Sequence, residues 1–289
     1  MKKQLLLYPG DGIGLELFKS LAGFFRKFEI LVEFRTIQSL DEFFLQEYPL
    51  YLLCGPLSDD LNLSKHIQEY TELSVIPSNV QKSGQMDSVC IVSFPLNNQN
   101  TQIYPLKDVD LLNHFFSQDQ KIVLVHGYKQ AFDKWLPILK SWSKLAFTPT
   151  DFRLEDRDVY SFIKHGDYCS CKQIITSSEI EPILSGLYAS LNNSLILCHR
   201  LFLFQKSAIA LPMHGHAPDI VGMGIANPYA LMMSFCSLLN EMGYNEVSQY
   251  VENQIKRILF EHPEQITPDQ DGILNTEKYM AMIAEYINL

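Results

Sequence analysis

His214-Gly215-His216-Ala217-Pro218-Asp219-Ile220-Val221-Gly222-Met223-Gly224-Ile225-Ala226-Asn227-Pro228 is the stretch on which the reading of this chain turns. It opens as a loop rich in glycine and alanine, residues that let a backbone approach a ligand or another segment closely. It closes on Asn227-Pro228, an N-cap residue followed by proline at the first helical position, so a helix starts there. Apolar residues then run to Leu239, and Gly243 stands where a helix ends on a left-handed residue. Two more helices, Asn245–Glu261 and Thr276–Ile287, are predicted on either side of the loop Thr267-Pro268-Asp269.

At the other end of the chain, Lys3–Tyr8 reads as a buried strand that stops at Pro9-Gly10. Leu15–Phe28 has helical spacing, Ile30–Ile37 reads as a strand and Leu40–Gln46 as a helix. Leu50–Cys54 is a short strand ended by Gly55-Pro56. Strands alternating with helices imply a largely parallel sheet with crossover connections. The middle is less regular. Ser88–Phe94 and Thr101–Tyr104 read as strands around the turn Asn97-Asn98-Gln99-Asn100. Strands at Lys121–His126 and Gln173–Thr176 alternate with helices at Phe132–Ala146 and Glu179–Leu191. The change of pattern predicts residues 86–209 as a smaller domain inserted into a larger one made of 1–85 and 210–289.

Composition narrows the function classes. With 47% hydrophobic residues in 289, the chain can bury a sizeable core, and 19% charged residues without a like-charged tail argue against long disorder. The net charge is −10, with 17 lysines, 6 arginines and no basic run, which excludes a phosphate-backbone binder, so no nucleic-acid partner is expected. No apolar stretch reaches the roughly 20 residues of a membrane helix, and Pro9-Gly10-Asp11 cuts the first one too short for a signal peptide. The six cysteines form no CxxC and read as free thiols of a cytoplasmic protein. Cys169, Cys171 and His165 lack zinc spacing and read as ordinary side chains.

The loop Gly10-Asp11-Gly12-Ile13-Gly14, between a strand and a helix and with Glu33 about 20 residues on, invites a Rossmann reading. It fails at the third glycine of GxGxxG, where Leu15 stands. A better match is longer. Pro9-Gly10-Asp11-Gly12-Ile13-Gly14-Leu15-Glu16 resembles PGDGIGPE, and His214–Pro228 resembles HGSAPDIAGKGIANP, both motifs of the isocitrate/3-isopropylmalate dehydrogenase family. Leu15, His216, Val221 and Met223 depart from the pattern, and Thr267-Pro268-Asp269 and Thr276-Glu277 resemble its closing motifs. The resemblance implies a non-Rossmann α/β fold of two domains, a mixed sheet with flanking helices, and a dimer contact on the inserted domain. It implies that Gly12, Ile13, His214, Gly215, Ala217, Pro218, Asp219, Ile220, Asn227 and Asp269 line an adenosine pocket. Asp219 would accept from ribose hydroxyls and repel a 2′-phosphate, favouring NAD over NADP.

Family catalysis needs arginines on the substrate's carboxylates, a divalent metal on aspartates, a lysine and a tyrosine. Here no arginine lies between Arg35 and Arg153. Ser78, Gln68 and Val92 fall at or near the arginine positions, and Lys65 and Lys82 nearby cannot copy a guanidinium fork. The metal segment GDILSD corresponds to Glu181-Pro182-Ile183-Leu184-Ser185-Gly186, without either aspartate. Asp156 matches the remaining ligand, and it and Glu181 read as solvated helix-start acids. Gly127 takes the lysine's place, with Lys129 two residues on. Tyr104 is the nearest tyrosine candidate, and His126 reads as structural. The expectation is a catalytically defective relative that keeps an NAD or other adenosine ligand, holds no divalent metal and pairs with itself or a paralogue. The alternative is an NAD-dependent dehydrogenase of a 2-hydroxy acid with an altered site.

Overall fold

The structure, a computed structural model, describes residues 2–46, 50–58, 63, 67, 70–77, 88–94, 122–126, 150–153, 173–178, 180–204 and 207–288. The expected strand at 101–104, the turn at 97–100 and the helix at 132–146 lie outside them. So do Lys65, Gln68, Ser78, Lys82, Tyr104, Gly127, Lys129, Asp156, His165, Cys169 and Cys171. The chain divides into two compact units, one of Met1–Ile67, Val80–Met86 and Ile196–Leu289, the other of Gln68–Asn79 and Asp87–Leu195.

In the first unit, β1 (Lys3–Tyr8) lies between β2 (Val32–Thr36) and β3 (Tyr51–Cys54), parallel to both. A later strand, Ser207–Pro212, continues the sheet parallel to β3 and pairs antiparallel with His199–Phe204. Numbered in chain order, these last two are β10 and β9. The central strands are buried on both faces: Leu5 and Leu6 of β1, Leu52 and Leu53 of β3 and Ile209 and Ala210 of β10 are fully covered. This is why they read as continuous apolar runs rather than alternations. Sequence reading missed β9 and β10. Their signal was the apolar run Leu201–Phe204 followed, after Gln205-Lys206, by Ala208–Leu211.

The second unit carries β4 (Thr71–Pro77), β5 (Ser88–Phe94), β6 (Ile122–His126), β7 (Thr150–Arg153) and β8 (Gln173–Ser177). β5 is antiparallel to β4 and parallel to β8, and β8 and β7 flank β6 in parallel. Both units are therefore mixed α/β, as expected, although β4 and β7 were not foreseen.

The predicted helix over 15–28 is interrupted at Leu21, giving α1 (Gly14–Ser20) and α2 (Ala22–Arg26). The Ser20 hydroxyl bonds back to the Glu16 carbonyl at 3.0 Å, while the Leu21 N–H keeps its bond to the Leu17 carbonyl at 2.9 Å. α3 (Leu40–Phe44) follows in this unit and α4 (Glu181–Leu191) belongs to the second. The centre of the first unit is α5 (Tyr229–Glu241), apolar all round because it packs on β3, β9, β10 and α6 (Asn245–Glu261). Its Phe235 ring meets Phe24, Phe25, Phe28 and Phe34, closest to Phe28 at 4.8 Å, edge to face. Gly243, φ +82°, ends α5: its N–H bonds to the Asn240 carbonyl and that of Tyr244 to Leu239, each at 2.8 Å. The left-handed stop expected at this glycine is thus a full Schellman motif. α7 (Thr276–Tyr286) closes the chain against α1 and α2, its first turn capped by Asn275, which accepts from the Lys278 N–H.

Candidate functional site

β1, β3 and β10 run parallel, so the loops leaving them gather at one edge of the first unit's sheet. Open α/β sheets bind ligands at this carboxyl edge. Residues 9–13 follow β1, residues 55–58 follow β3, and the 213–228 loop leaves β10 for α5. Backbone bonds fasten them together. The Asp11 N–H donates to the Pro56 carbonyl at 2.7 Å, and the Ile13 N–H donates to the His216 carbonyl at 3.0 Å. Gly12, φ +53°, has no room for a side chain: a Cβ there would lie 1.8 Å from the His216 oxygen. Two of the residues named from sequence, Gly12 and Ile13, therefore support the 214 loop rather than stand free.

Side chains complete the bracing. Glu16 Oε2 accepts the Gly222 N–H at 2.7 Å. Thr276, fully buried, donates its N–H to the Gly224 carbonyl at 2.8 Å and its hydroxyl to Ala226 at 2.7 Å. Asn227 is buried, and its Oδ1 accepts the Tyr229 N–H at 2.9 Å while its Nδ2 donates to Asp269 Oδ2 at 2.8 Å. Its side chain thus serves the first turn of α5 as expected, but Pro228 itself occupies the cap position, one residue later than the sequence suggested. Glu16 and Thr276 sat inside the quoted motifs without an assigned role; only the fold shows what they hold.

What these braces leave open is a set of unpaired groups. His214 Nδ1 lies 3.1 Å from the Gly215 carbonyl, which only accepts, so that nitrogen carries the hydrogen and Nε2 is an acceptor. Nε2 is shut off from solvent and has no partner. Burial holds the imidazole's pKa below its ordinary value, against the opposing pull of the Gly215 carbonyl and the Asp269 charge, so the ring is neutral near pH 7. The Thr267 hydroxyl and the Tyr279 hydroxyl are likewise buried without partners, and burial first, then Asp269, raises the Tyr279 phenol. Asp219 is exposed on the short 3-10 turn Pro218–Ile220 and carries no hydrogen bond; Asp269 is exposed on a matching turn, Pro268–Gln270. Gly215 and Pro218 are exposed, Ile220 half-buried, and Ala217 sits at φ +40°, ψ 64°, a conformation a side chain rarely takes.

The second unit gives a correction. Glu181, read as a solvated acid at a helix start, is fully buried in the first turn of α4, with both carboxylate oxygens unpartnered. Exposed Pro182 and Gly186 flank it on the same helix. Among the described residues no three His, Cys, Asp or Glu side chains gather as a metal donor set. Nor is any described helix long and apolar enough to cross a membrane.

The fold defined by these two units is that of the β-decarboxylating dehydrogenases. A solved protein of that description from Thermococcus kodakarensis superposes with a TM-score of 0.77 over 98% of this chain and 96% of its own, at 18% identity. Isocitrate dehydrogenase from Methylococcus capsulatus does so with a TM-score of 0.71 over 98% and 99%, also at 18% identity. A family-wide profile for isocitrate/isopropylmalate dehydrogenase matches residues 174–283. The match to individual relatives is local. The chain is 34% identical over 115 residues to 3-isopropylmalate dehydrogenase of Archaeoglobus fulgidus, covering 40% of this chain and 35% of that protein. It is 36% identical over 112 residues to isocitrate/homoisocitrate dehydrogenase of Thermus thermophilus, covering 39% and 33%. The aligned part thus spans about a third of the curated relatives' length.

Proposed function

We propose that this chain binds an adenosine ligand, NAD or ADP, on the 214 loop of its first unit, and does not catalyse the oxidative decarboxylation that its fold suggests. One observation carries the binding half: a braced loop at the carboxyl edge of the sheet that presents unpaired polar groups of complementary kinds. A neutral His214 with an acceptor lone pair at Nε2 suits an exocyclic amino group. The free Asp219 carboxylate suits a pair of ribose hydroxyls and would repel a 2′-phosphate. Asn227 and Asp269 are locked to each other at the same edge, the cost of exposing a carboxylate there being small.

The catalytic half rests on what the second unit's sequence offers. Without arginine between residues 35 and 153, with Pro182 and Gly186 at the metal aspartates' places and glycine at the lysine's, substrate grip, metal and base are all lost. Such contributions act as a unit, so losing several removes turnover rather than slowing it modestly. A role in assembly with a second copy or a paralogous subunit is supported by Ile183, Leu191 and Leu195. These are 54%, 38% and 49% exposed on and just after α4, in a stretch without charge from Pro182 to Cys198.

Calorimetric titration tests the first half: NAD and ADP should bind, and NADP should bind more weakly. Isocitrate or isopropylmalate with NAD and Mg²⁺ tests the second, and steady formation of NADH would sink the claim of lost catalysis. Light scattering tests assembly: Ile183→Glu with Leu191→Glu should shift the protein towards monomer.

A further inference from the structure

Leu15, Val221 and Met223 stand where the motifs they resemble have proline, alanine and lysine. All three are exposed, at 54%, 49% and 61%. A lone exposed apolar side chain is ordinary, but several together mark a contact surface. The backbone beneath these three is fixed. Glu16, next to Leu15, accepts the N–H of Gly222, which lies between Val221 and Met223, at 2.7 Å. The Gly224 carbonyl accepts the Thr276 N–H at 2.8 Å, and α7 packs on α1. The three side chains are therefore grouped around one backbone contact of the first unit, on a frame that needs no ordering before it binds. The surroundings are acidic. Asp219, Asp269, Asp271 and Glu277 are exposed and Glu16 adds a fifth carboxylate, while Lys19 and Lys278 are the only cations in the stretches 15–19, 219–228 and 269–278. The bond from Asn227 to Asp269 leaves that charge in place.

We propose that Leu15, Val221 and Met223 form a docking site for a basic segment of another protein, whose apolar side chains cover the three and whose lysines or arginines meet the surrounding carboxylates. Charge selects this occupant. Two copies of the face brought together would set carboxylates against carboxylates, which disfavours a second copy of this chain. A complement has to supply cations around an apolar centre. The contact uses the first unit alone and stands whether or not a nucleotide binds.

The probe is a short fluorescent peptide of leucine and lysine with its leucines at helical spacing, beside the same peptide with glutamate for every lysine. Anisotropy is read with the full chain as wild type, as the double variant Val221→Ala with Met223→Ala, as Met223→Lys, and as Ile30→Ala, with a thermal midpoint for each. Ile30 is the control: it is exposed too, but it precedes β2 and so lies at the opposite, amino edge of the sheet. The lysine peptide should bind, more weakly as salt rises, and the glutamate peptide should not. The double alanine variant should weaken the lysine peptide roughly tenfold at an unchanged thermal midpoint. Met223→Lys, which sets the motif's residue there and repels the probe, should weaken it further, and Ile30→Ala should bind as the wild type does. The proposal is wrong if neither peptide binds, if both bind alike, or if the double alanine variant matches the wild type, since charge alone would then be the attraction. A concentration-dependent dimer of the wild type by light scattering, lost in the double alanine variant, would make the occupant a second copy and overturn it as well.

Discussion

The loop before α5 and the start of α4 are two polar segments of one chain, and they are built in opposite ways. In the first, nearly every buried polar group that bears on the loop's shape has a partner: Glu16 with Gly222, Thr276 with Gly224 and Ala226, Asn227 with Tyr229 and Asp269. Among the described residues the exceptions are Glu16 Oε1, His214 Nε2 and the Thr267 and Tyr279 hydroxyls, all buried without partners. In the second, Glu181 is wholly buried and, among the described residues, neither of its oxygens has a donor. A site under constraint keeps its braces, because a misplaced backbone costs binding.

The most severe way to break the first region is Gly12→Ala. The new methyl would lie 1.8 Å from the His216 carbonyl at a φ of +53°, so the two loops must part. We expect about 3 kcal/mol or more of lost stability by urea unfolding, and nucleotide binding abolished. Survival of either at wild-type level would show that the loops are not held against each other as described.

A control for pH comes from the far end of α5, where Glu241 is largely covered by protein and burial raises its carboxyl to about 7 from an ordinary 4.5. The folded state then holds a proton that the unfolded chain has lost between those values. Stability from this group is therefore present at low pH and declines as pH rises from about 4.5 through 7, by at most about 3 kcal/mol. Glu241→Gln should narrow the gap: the variant should match the wild type near pH 4.5 and exceed it by pH 8, with NAD and ADP affinity unchanged. A change in affinity would couple the site to the helix's far end, and equal curves would place Glu241 in water.

The second region is tested by Glu181→Leu. A buried polar side chain without partners costs stability, and an apolar replacement of similar size removes that cost. Unfolding should shift to higher urea, by about 1–3 kcal/mol. A loss of stability instead would mean that Glu181 has a partner that only the assembled or ligand-bound protein supplies.

Much of this was legible in the sequence, for reasons that differ by element. β1, α6 and β5 were placed to the residue because strong apolar patterns end at Pro9-Gly10, Tyr244 and Pro95. The loop residues were legible through a long motif, and Gly12, His214, Asn227 and Asp269 do gather at one edge of the unit. β9 and β10 were missed although their apolar runs, Leu201–Phe204 and Ala208–Leu211, are of the kind that marked β1 and β3. Glu181 was misread because a carboxylate at a helix start is normally solvated; its burial depends on tertiary packing that no local pattern encodes. The braces from Glu16 and Thr276 join residues 206 and 50 or more positions apart, and separations of that size carry no local signal.

The smallest effect is the sharpest on ligand identity. Asp219→Asn keeps the shape of the turn, since the carboxylate makes no bond among the described residues, so stability should change by less than about 0.5 kcal/mol. What changes is charge. An amide can still accept from one ribose hydroxyl but no longer repels a 2′-phosphate, so NAD affinity should fall a few-fold while NADP affinity rises towards it. The readout is the ratio of the two dissociation constants, which a general loosening of the loop would leave alone. If Asp219→Asn lowers both equally, the carboxylate does not face the ribose. The loop would then serve a ligand without vicinal hydroxyls, such as a free base.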